Sequence, residues 1–260
     1  MNDLAGDEVI RSPANPTLKR IRSLRQRSTR ELERAFVVEG VRAVKDGLEA
    51  GGRAQVVLLR GDADWLPSDT SVNVPIRRVV PPLFDELSET ETPQPVLAVF
   101  DFPRLIPETS LAPLFLVVDG VRDPGNLGTL LRSAAAAGAT AAVVMPGTVD
   151  PYNGKTVRAG MGAHFRIPIA SLDESLRNII VASCPVRVLT NASAELIYDR
   201  ISLDRGTALI VGSEAHGPSN FGRTLATCEV KIPLENGVES LNAGVAGSIM
   251  LFEAARQRRR

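Results

Sequence analysis

Two hydrophobic patterns divide the chain. From Leu114 onward, continuous apolar runs recur between helical stretches: Phe115 to Val118, Ala141 to Met145, Arg166 to Ile169, Val186 to Leu189, Ala208 to Val211 and Val230 to Ile232. Runs without polar alternation read as strands covered on both faces. Helices over Leu127 to Ala137 and Leu172 to Val181 separate them, which predicts an α/β domain built on a mostly parallel sheet with helices on both faces. Ligands bind such sheets at the carboxyl ends of the strands. Chemistry is therefore expected in the loops after Val118, Leu189, Val211 and Ile232. A last helix leads to the C-terminus, with Leu241, Val245, Ile249 and Phe252 as its predicted apolar face.

The earlier part of the chain reads as a smaller α/β module. Strands are expected at Phe36-Val-Val, Gln55 to Leu59 and Val96 to Phe100. Helices are expected over Val41 to Ala50, ended by Gly51-Gly52, and near Leu83 to Leu87 after Pro81-Pro82. Residues 103–113 are rich in proline and carry no period, so they read as a linker between a module of residues 1–102 and a domain of residues 114–260.

Composition narrows the class only modestly. The 260 residues are 44% hydrophobic and 23% charged, ordinary globular values, and the formal net charge is zero. The distribution of charge says more. Between Arg11 and Arg34 stand eight basic residues, including Lys19, Arg20, Arg22, Arg25 and Arg27, against only Glu31 and Glu33, a local net charge of +6. Leu18, Ile21, Leu24 and Leu32 give this stretch a helical apolar stripe. It reads either as a solvated helix face or as a phosphate-binding arm. Cys184 and Cys228 lie far apart and read as neutral thiols of a reducing compartment. The acidic start MNDLAGDEVI is no signal peptide, and the run Ala134 to Met145 is too short to span a bilayer. A cytoplasmic location without membrane attachment is expected.

Three loops carry the candidate chemistry. The first, Asp119 to Gly128, leads into a helix bearing Arg132, with Asn126 as a candidate cap. The second, Gly212-Ser-Glu-Ala-His-Gly217, resembles a dinucleotide fingerprint only superficially, because Glu214 replaces the middle glycine and would repel a pyrophosphate. Gly160-Met-Gly162 is another near miss. The third runs from Ile232 to Asn242, where Ser240 and Asn242 are candidate caps of the last helix. His164 and His216 have no ligand cluster around them, so no metal site is expected. The absence of G-x-S-x-G excludes a serine hydrolase of that type.

Taken together, NLGTLLR (Asn126 to Arg132), GSEAHG (Gly212 to Gly217) and IPL…ESLN (Ile232 to Asn242) resemble, in order and spacing, the three motifs of the SPOUT-class, SpoU/TrmH-type RNA ribose 2′-O-methyltransferases. Val157 to Ala163 resembles the stretch between the first two motifs. Asn15 to Leu24 and Phe36 to Gly40 resemble the family's N-terminal substrate-binding module. Two small departures stand out: Ser213 where many relatives carry Asn, and Ala243-Gly244 in place of a larger apolar pair.

The resemblance implies a deep trefoil knot, S-adenosylmethionine as cofactor, and a homodimer whose sites are completed near the subunit interface. It implies an N-terminal module with a ribosomal-protein-like RNA-binding fold. Asn191, Gly212, Gly217, Ile232, Leu234, Ser240 and Leu241 would bind the cofactor. Arg132, Asn126, Glu214, Ser240 and Asn242 would form the catalytic set, and Lys19, Arg20, Arg22, Arg25 and Arg27 would touch RNA. Guanidinium stays protonated, so clamping phosphate and stabilising a developing alkoxide suits Arg132 better than acting alone as a base. Ribosomal RNA stands ahead of transfer RNA as substrate. The alternatives are a non-catalytic RNA-binding or ribosome-protecting protein of the same fold, a methyltransferase acting on a base, and a nucleotide-dependent oxidoreductase, which would need the missing glycine fingerprint.

Overall fold

The computed structural model describes residues 9–61, 63, 65, 74–106, 110–213 and 217–259. Glu214, His216, Arg260, the first eight residues and residues 107–109 of the expected linker lie outside them. The chain falls into two compact units. The first comprises residues 1–104 together with 152–158; the second comprises 105–151 and 159–260.

The first unit runs α1 (Pro16–Ser23), α2 (Arg27–Glu33), β1 (Ala35–Glu39), α3 (Val41–Glu49), β2 (Ala54–Arg60), β3 (Ile76–Val79), α4 (Pro81–Asp85) and β4 (Val96–Asp101). Its sheet order is β1-β4-β2-β3, with β4 antiparallel to both neighbours and β2 parallel to β3. The apolar run of β4 is buried because it lies inside this sheet. Pro81 and Pro82 open α4 instead of preceding it, since proline suits the first helical turn.

The basic stretch departs from the expected single stripe. Leu18, Ile21 and Leu24 are buried, but Leu32 is 85% exposed. The chain turns after Leu24, so α2 starts a new helical phase. The buried residue of α2 is Arg30, whose Nη1 donates to the carbonyls of Leu24 and Arg25 at 2.7 Å each. Leu24 is the C-cap of α1 and Arg25 follows it in the turn, so Arg30 satisfies carbonyls that no helix partner reaches.

The second unit runs β5 (Leu114–Asp119), α5 (Pro124–Ala136), β6 (Ala141–Val144), α6 (Gly154–Gly160, whose start belongs to the first unit), β7 (Ile169–Ser171), α7 (Glu174–Ser183), β8 (Val186–Thr190), β9 (Leu196–Ile197), β10 (Thr207–Gly212), α8 (Asn220–Leu225), β11 (Cys228–Lys231) and α9 (Ala243–Arg258). All neighbours in the order β7-β6-β5-β10-β8-β11-β9 are parallel.

Alternation along β5 explains its fully apolar run. Leu114, Leu116 and Val118 face a core shared with Leu127, Leu130 and Leu131 of α5 and Met250 and Leu251 of α9. Phe115 and Val117 face the other side, with Ile180 of α7 and Leu225 of α8. Helices therefore cover both faces, as expected.

Several local expectations are corrected. The strand expected at Arg166 to Ile169 begins only at Ile169, because Pro168 has no N–H to donate; its carbonyl accepts the Ala142 amide at 2.9 Å. The strand expected at Val230 to Ile232 spans Cys228–Lys231, and Ile232-Pro233 follows it. The cap of α5 is Asp123, whose Oδ1 accepts the Asn126 amide at 2.8 Å, and not Asn126. On α9 the buried residues include Gly244, Gly247, Met250, Leu251 and Ala254. Val245 and Phe252, assigned to the inner face, are 46% and 45% exposed. Gly244 and Gly247 explain the choice of face, because a Cβ at Gly247 would run into Leu130 and one at Gly244 would crowd Thr129 and Asn126. Small residues let α9 lie close against α5, and that fixes its rotation.

Candidate functional site

Four loops leave the carboxyl ends of β5, β8, β10 and β11, and three of them line one cavity of about 530 Å³, within the usual range for small-ligand sites. After β10, the loop turns back on itself. Ser213 and Gly217 form an antiparallel bridge, and Gly217 has φ +65°, a conformation open to glycine at little cost. A Cβ on Gly212 would lie 2.8 Å from the Pro218 nitrogen, so the position requires glycine. Asp119, at the end of β5 and 2% exposed, accepts the Ser219 amide at 2.7 Å.

After β8, Asn191 is held on three sides. Its amide N–H donates to Val230 O at 2.9 Å, its Nδ2 donates to Glu229 Oε2 at 2.6 Å, and its Oδ1 accepts the Ser193 amide at 3.0 Å. Arg223 braces the other oxygen of Glu229 at 3.1 Å. After β11, the third loop returns to α9. Asn242 caps this helix, its Oδ1 accepting the Val245 amide at 3.1 Å, and its Nδ2 donates to Asn126 Oδ1 at 2.7 Å.

The cavity is lined by Asn191, Gly212, Gly217, Ile232, Leu234, Ser240 and Leu241, every residue expected to hold a cofactor, and by Asn242. Thr190, Ser213, Pro218, Lys231 and Ala246 line it as well. Sequence reasoning missed these five. For Thr190, Ser213 and Lys231 the available signal was position at a strand end beside the motifs; Pro218 and Ala246 sit in the following loop and in α9 and had only their nearness to the second and third motifs. Asn126 reaches the site through Asn242. Arg132 is exposed on α5 and does not line this cavity. Apolar walls at Val230, Ile232, Leu234 and Leu241 suit a flat ring system, and the polar groups of Thr190, Asn191, Ser213 and Ser240 suit hydroxyl groups. Lys231 is the single charged residue in the described lining.

The residues expected to touch RNA are engaged within the first unit. Arg20 bonds Glu33 at 2.6 Å and Gln55 at 2.5 Å, Arg22 bonds Pro13 O at 2.9 Å and Glu86 at 3.1 Å, Arg25 donates to Glu86 O at 2.7 Å, and Arg27 pairs with Glu31 at 2.7 Å. Lys19 is exposed. Among the described residues, no cluster of histidine, cysteine or acidic side chains could hold a metal ion, and no helix is long and apolar enough to cross a membrane. Burial pushes the thiols of Cys184 and Cys228 above their ordinary range.

Comparison with known proteins agrees with this geometry. The SpoU rRNA Methylase family matches residues 113–252, and an MRM3-like substrate binding domain matches residues 15–98. The 23S rRNA (guanosine(2553)-2′-O)-methyltransferase RlmP of Bacillus subtilis is 32% identical, over 94% of this chain and 97% of that protein. An AdoMet-bound rRNA methyltransferase from Sinorhizobium meliloti superposes with a TM-score of 0.81 at 30% identity, covering 96% of this chain and 97% of that one. The SpoU methyltransferase AviRb of Streptomyces viridochromogenes, in complex with AdoMet, superposes with a TM-score of 0.83 at 29% identity, covering 94% and 98%. The chain belongs to the SpoU rRNA methylase family.

Proposed function

We propose that the protein transfers a methyl group from S-adenosylmethionine to a ribose 2′-hydroxyl of ribosomal RNA. The observation that carries this reading is the convergence of the loops after β8, β10 and β11 on one cavity whose apolar walls and amide and hydroxyl groups suit an adenosyl ligand. Asn191, Gly212, Gly217, Ile232, Leu234, Ser240 and Leu241 would hold the donor. When bound, the donor supplies a methyl group already activated by its sulfonium.

The chain's own contribution is mainly positioning. The described lining contains no histidine or carboxylate to serve as a general base. Ser240, on the cavity wall, orients the ribose hydroxyl. Asn242 and Asn126 fix the first and third loops against each other. Arg132 clamps the neighbouring phosphate and stabilises the alkoxide as it develops. Glu214 is assigned to holding the second loop.

The protein acts as a homodimer, and Arg132 serves the partner's cavity. The support is twofold: Arg132 is exposed and outside its own cavity, and α9 keeps a second apolar face, with Val245 and Phe252, that its own domain leaves uncovered. A trefoil knot near the C-terminus belongs to this reading through the likeness to the SpoU methylase family. Residues 1–102 form the RNA-binding module, of ribosomal-protein-like fold, joined through 103–113 to the methyltransferase domain of 114–260. Lys19, Arg20, Arg22, Arg25 and Arg27 contact phosphate. Exposed ion pairs are worth only about 0–1 kcal/mol, so their arginines exchange a carboxylate for a phosphate at little cost. The protein works in the cytoplasm, where ribosomes are.

The test is methyl transfer from tritiated S-adenosylmethionine to ribosomal RNA from a strain lacking this protein, followed by mass spectrometry of the modified nucleotide. Label on a ribose 2′-oxygen is expected. Label on a base, or none, would overturn the reading.

A further inference from the structure

We propose that Asp119 is a positioning residue for the cavity: by holding the Ser219 amide, its carboxylate sets the wall formed by Gly212, Gly217 and Pro218, and with it the affinity for the methyl donor. The inference rests on the donor assignment above.

An ionised carboxylate is unfavourable in the interior unless its oxygens are hydrogen bonded. Asp119 is 2% exposed, and its Oδ2 accepts the Ser219 amide at 2.7 Å, the length of a charge-assisted bond. The two residues are 100 positions apart in sequence. Register explains how they meet. β5 pairs with β10 so that Asp119 stands opposite Gly212. The chain leaves Gly212, closes a short loop at the Ser213–Gly217 bridge, and returns over its own start. Pro218 packs so closely on Gly212 that a Cβ there would come within 2.8 Å of its nitrogen. On the far side, Gly222 lies so close to the Asp119 carboxylate that a Cβ there would run into Oδ2. Pro218 and Ser219 are thus pinned between Gly212 below, the carboxylate beside and the first turn of α8 beyond.

Gly212, Gly217 and Pro218 line the cavity, whereas Asp119 does not. Its effect therefore reaches the ligand only through the loop. Loss of the acceptor frees the Pro218–Ser219 segment and loosens one wall, while Ser240, Asn242 and Arg132 keep their places. The expected signature is weaker donor binding with turnover at saturating donor preserved.

The experiment measures calorimetric Kd for S-adenosylmethionine, together with KM and kcat, in the full-length protein. Asp119→Ala should raise Kd and KM roughly ten- to a hundredfold, the loss expected for a hydrogen bond to a charged group, with kcat held within about threefold. Asp119→Asn keeps a carbonyl acceptor and should restore most of the affinity. A second pair of variants covers the case in which Asp119→Ala does not fold. Ser219 has φ −67°, which proline adopts, so Ser219→Pro removes the donated N–H, whereas Ser219→Ala removes only the hydroxyl that caps α8. The proline variant should match Asp119→Ala, and the alanine variant should stay near wild type. Wild-type Kd in folded Asp119→Ala or in Ser219→Pro, or a fall in kcat at unchanged Kd, would overturn the proposal. Failure of the unmodified protein to bind S-adenosylmethionine would instead sink the donor assignment on which it rests.

Discussion

Asn242 donates its side-chain amide to Asn126 Oδ1 at 2.7 Å and thereby joins residues 116 positions apart. Its own Oδ1 caps α9. One side chain thus ends the third loop, starts the last helix and ties both to the first loop. Asn242→Ala should lower unfolding free energy by about 1–2 kcal/mol, combining a lost cap with a lost hydrogen bond. The expected readout is a lower denaturant midpoint at unchanged slope. Asn242→Asp keeps the cap and should recover part of the loss. An unchanged midpoint in the alanine variant would show that the contact contributes nothing.

Arg132 lies outside the cavity of its own chain, so its removal should separate binding from chemistry. Arg132→Ala is expected to lose at least about a hundredfold in methyl transfer, the scale set by removing a charge-stabilising group, while calorimetric affinity for S-adenosylmethionine stays unchanged. Mixed dimers test the assignment to the partner. Arg132→Ala combined with the cavity-filling Leu234→Trp should regain activity, because one intact cavity then faces one intact arginine. Inactive mixed dimers would place Arg132 in the service of its own subunit.

Much of the sheet could be read from the sequence, and the reason is physical. Strands buried on both faces, such as β5 and β10, need apolar residues throughout, and a short unbroken apolar run bounded by turn residues fits little else. The rotation of α9 could not be read in the same way. Leu241, Val245, Ile249 and Phe252 make an apolar stripe, but Gly247, Met250, Leu251 and Ala254 make another. The deciding factor is the small size of Gly244 and Gly247 against α5, which hydropathy does not register. The cavity-lining residues could be placed through strand ends and motif resemblance. Asp119 could be seen as the start of a loop, but its partner is a backbone amide, which leaves no signature in a side-chain pattern.

The outer stripe of α9 leads to a third prediction. Val245→Glu with Phe252→Glu places two charges on the exposed face and should halve the mass seen by light scattering, with the circular dichroism of the fold retained. An unchanged mass would remove α9 from the subunit interface.

The basic stretch divides by its partners. Lys19→Ala should reduce the slope of log affinity against log salt for RNA by roughly one, with little change in stability. Arg20→Ala should weaken RNA binding and also lower thermal stability, because Arg20 holds Glu33 and Gln55. Filter binding across a salt series, beside a melting curve, separates the two. An unchanged slope in the Lys19 variant would make the stretch a solvated face.

His164 sets an acid dependence. Burial lowers its pKa from 6.5 to about 4, against the opposing pull of the Pro151 carbonyl, 2.7 Å from Nε2, and of Asp150. The unfolded chain takes up a proton near 6.5, whereas the folded one does so only near 4. Between these values the unfolded state holds more protons, so this group's contribution is complete above the upper value and is lost as pH falls toward the lower. Denaturant titrations from pH 7 to pH 4 should show His164→Gln with a shallower decline than wild type. Parallel declines would show that the histidine titrates alike in both states.

β10 supplies the middle of the seven-stranded sheet, yet β5, β6, β7, β8 and β9 all precede it in the chain, as do α5 and α7. During synthesis, β5 presents one unpaired edge and β8 two, because β11, the other neighbour of β8, follows β10 in the chain; the sheet closes only when residue 231 has left the ribosome. Assembly of this domain is therefore a late event with contacts distant along the chain, and a nascent chain stalled before that point carries open strand edges on β5, β8 and β9 as templates for wrong pairing.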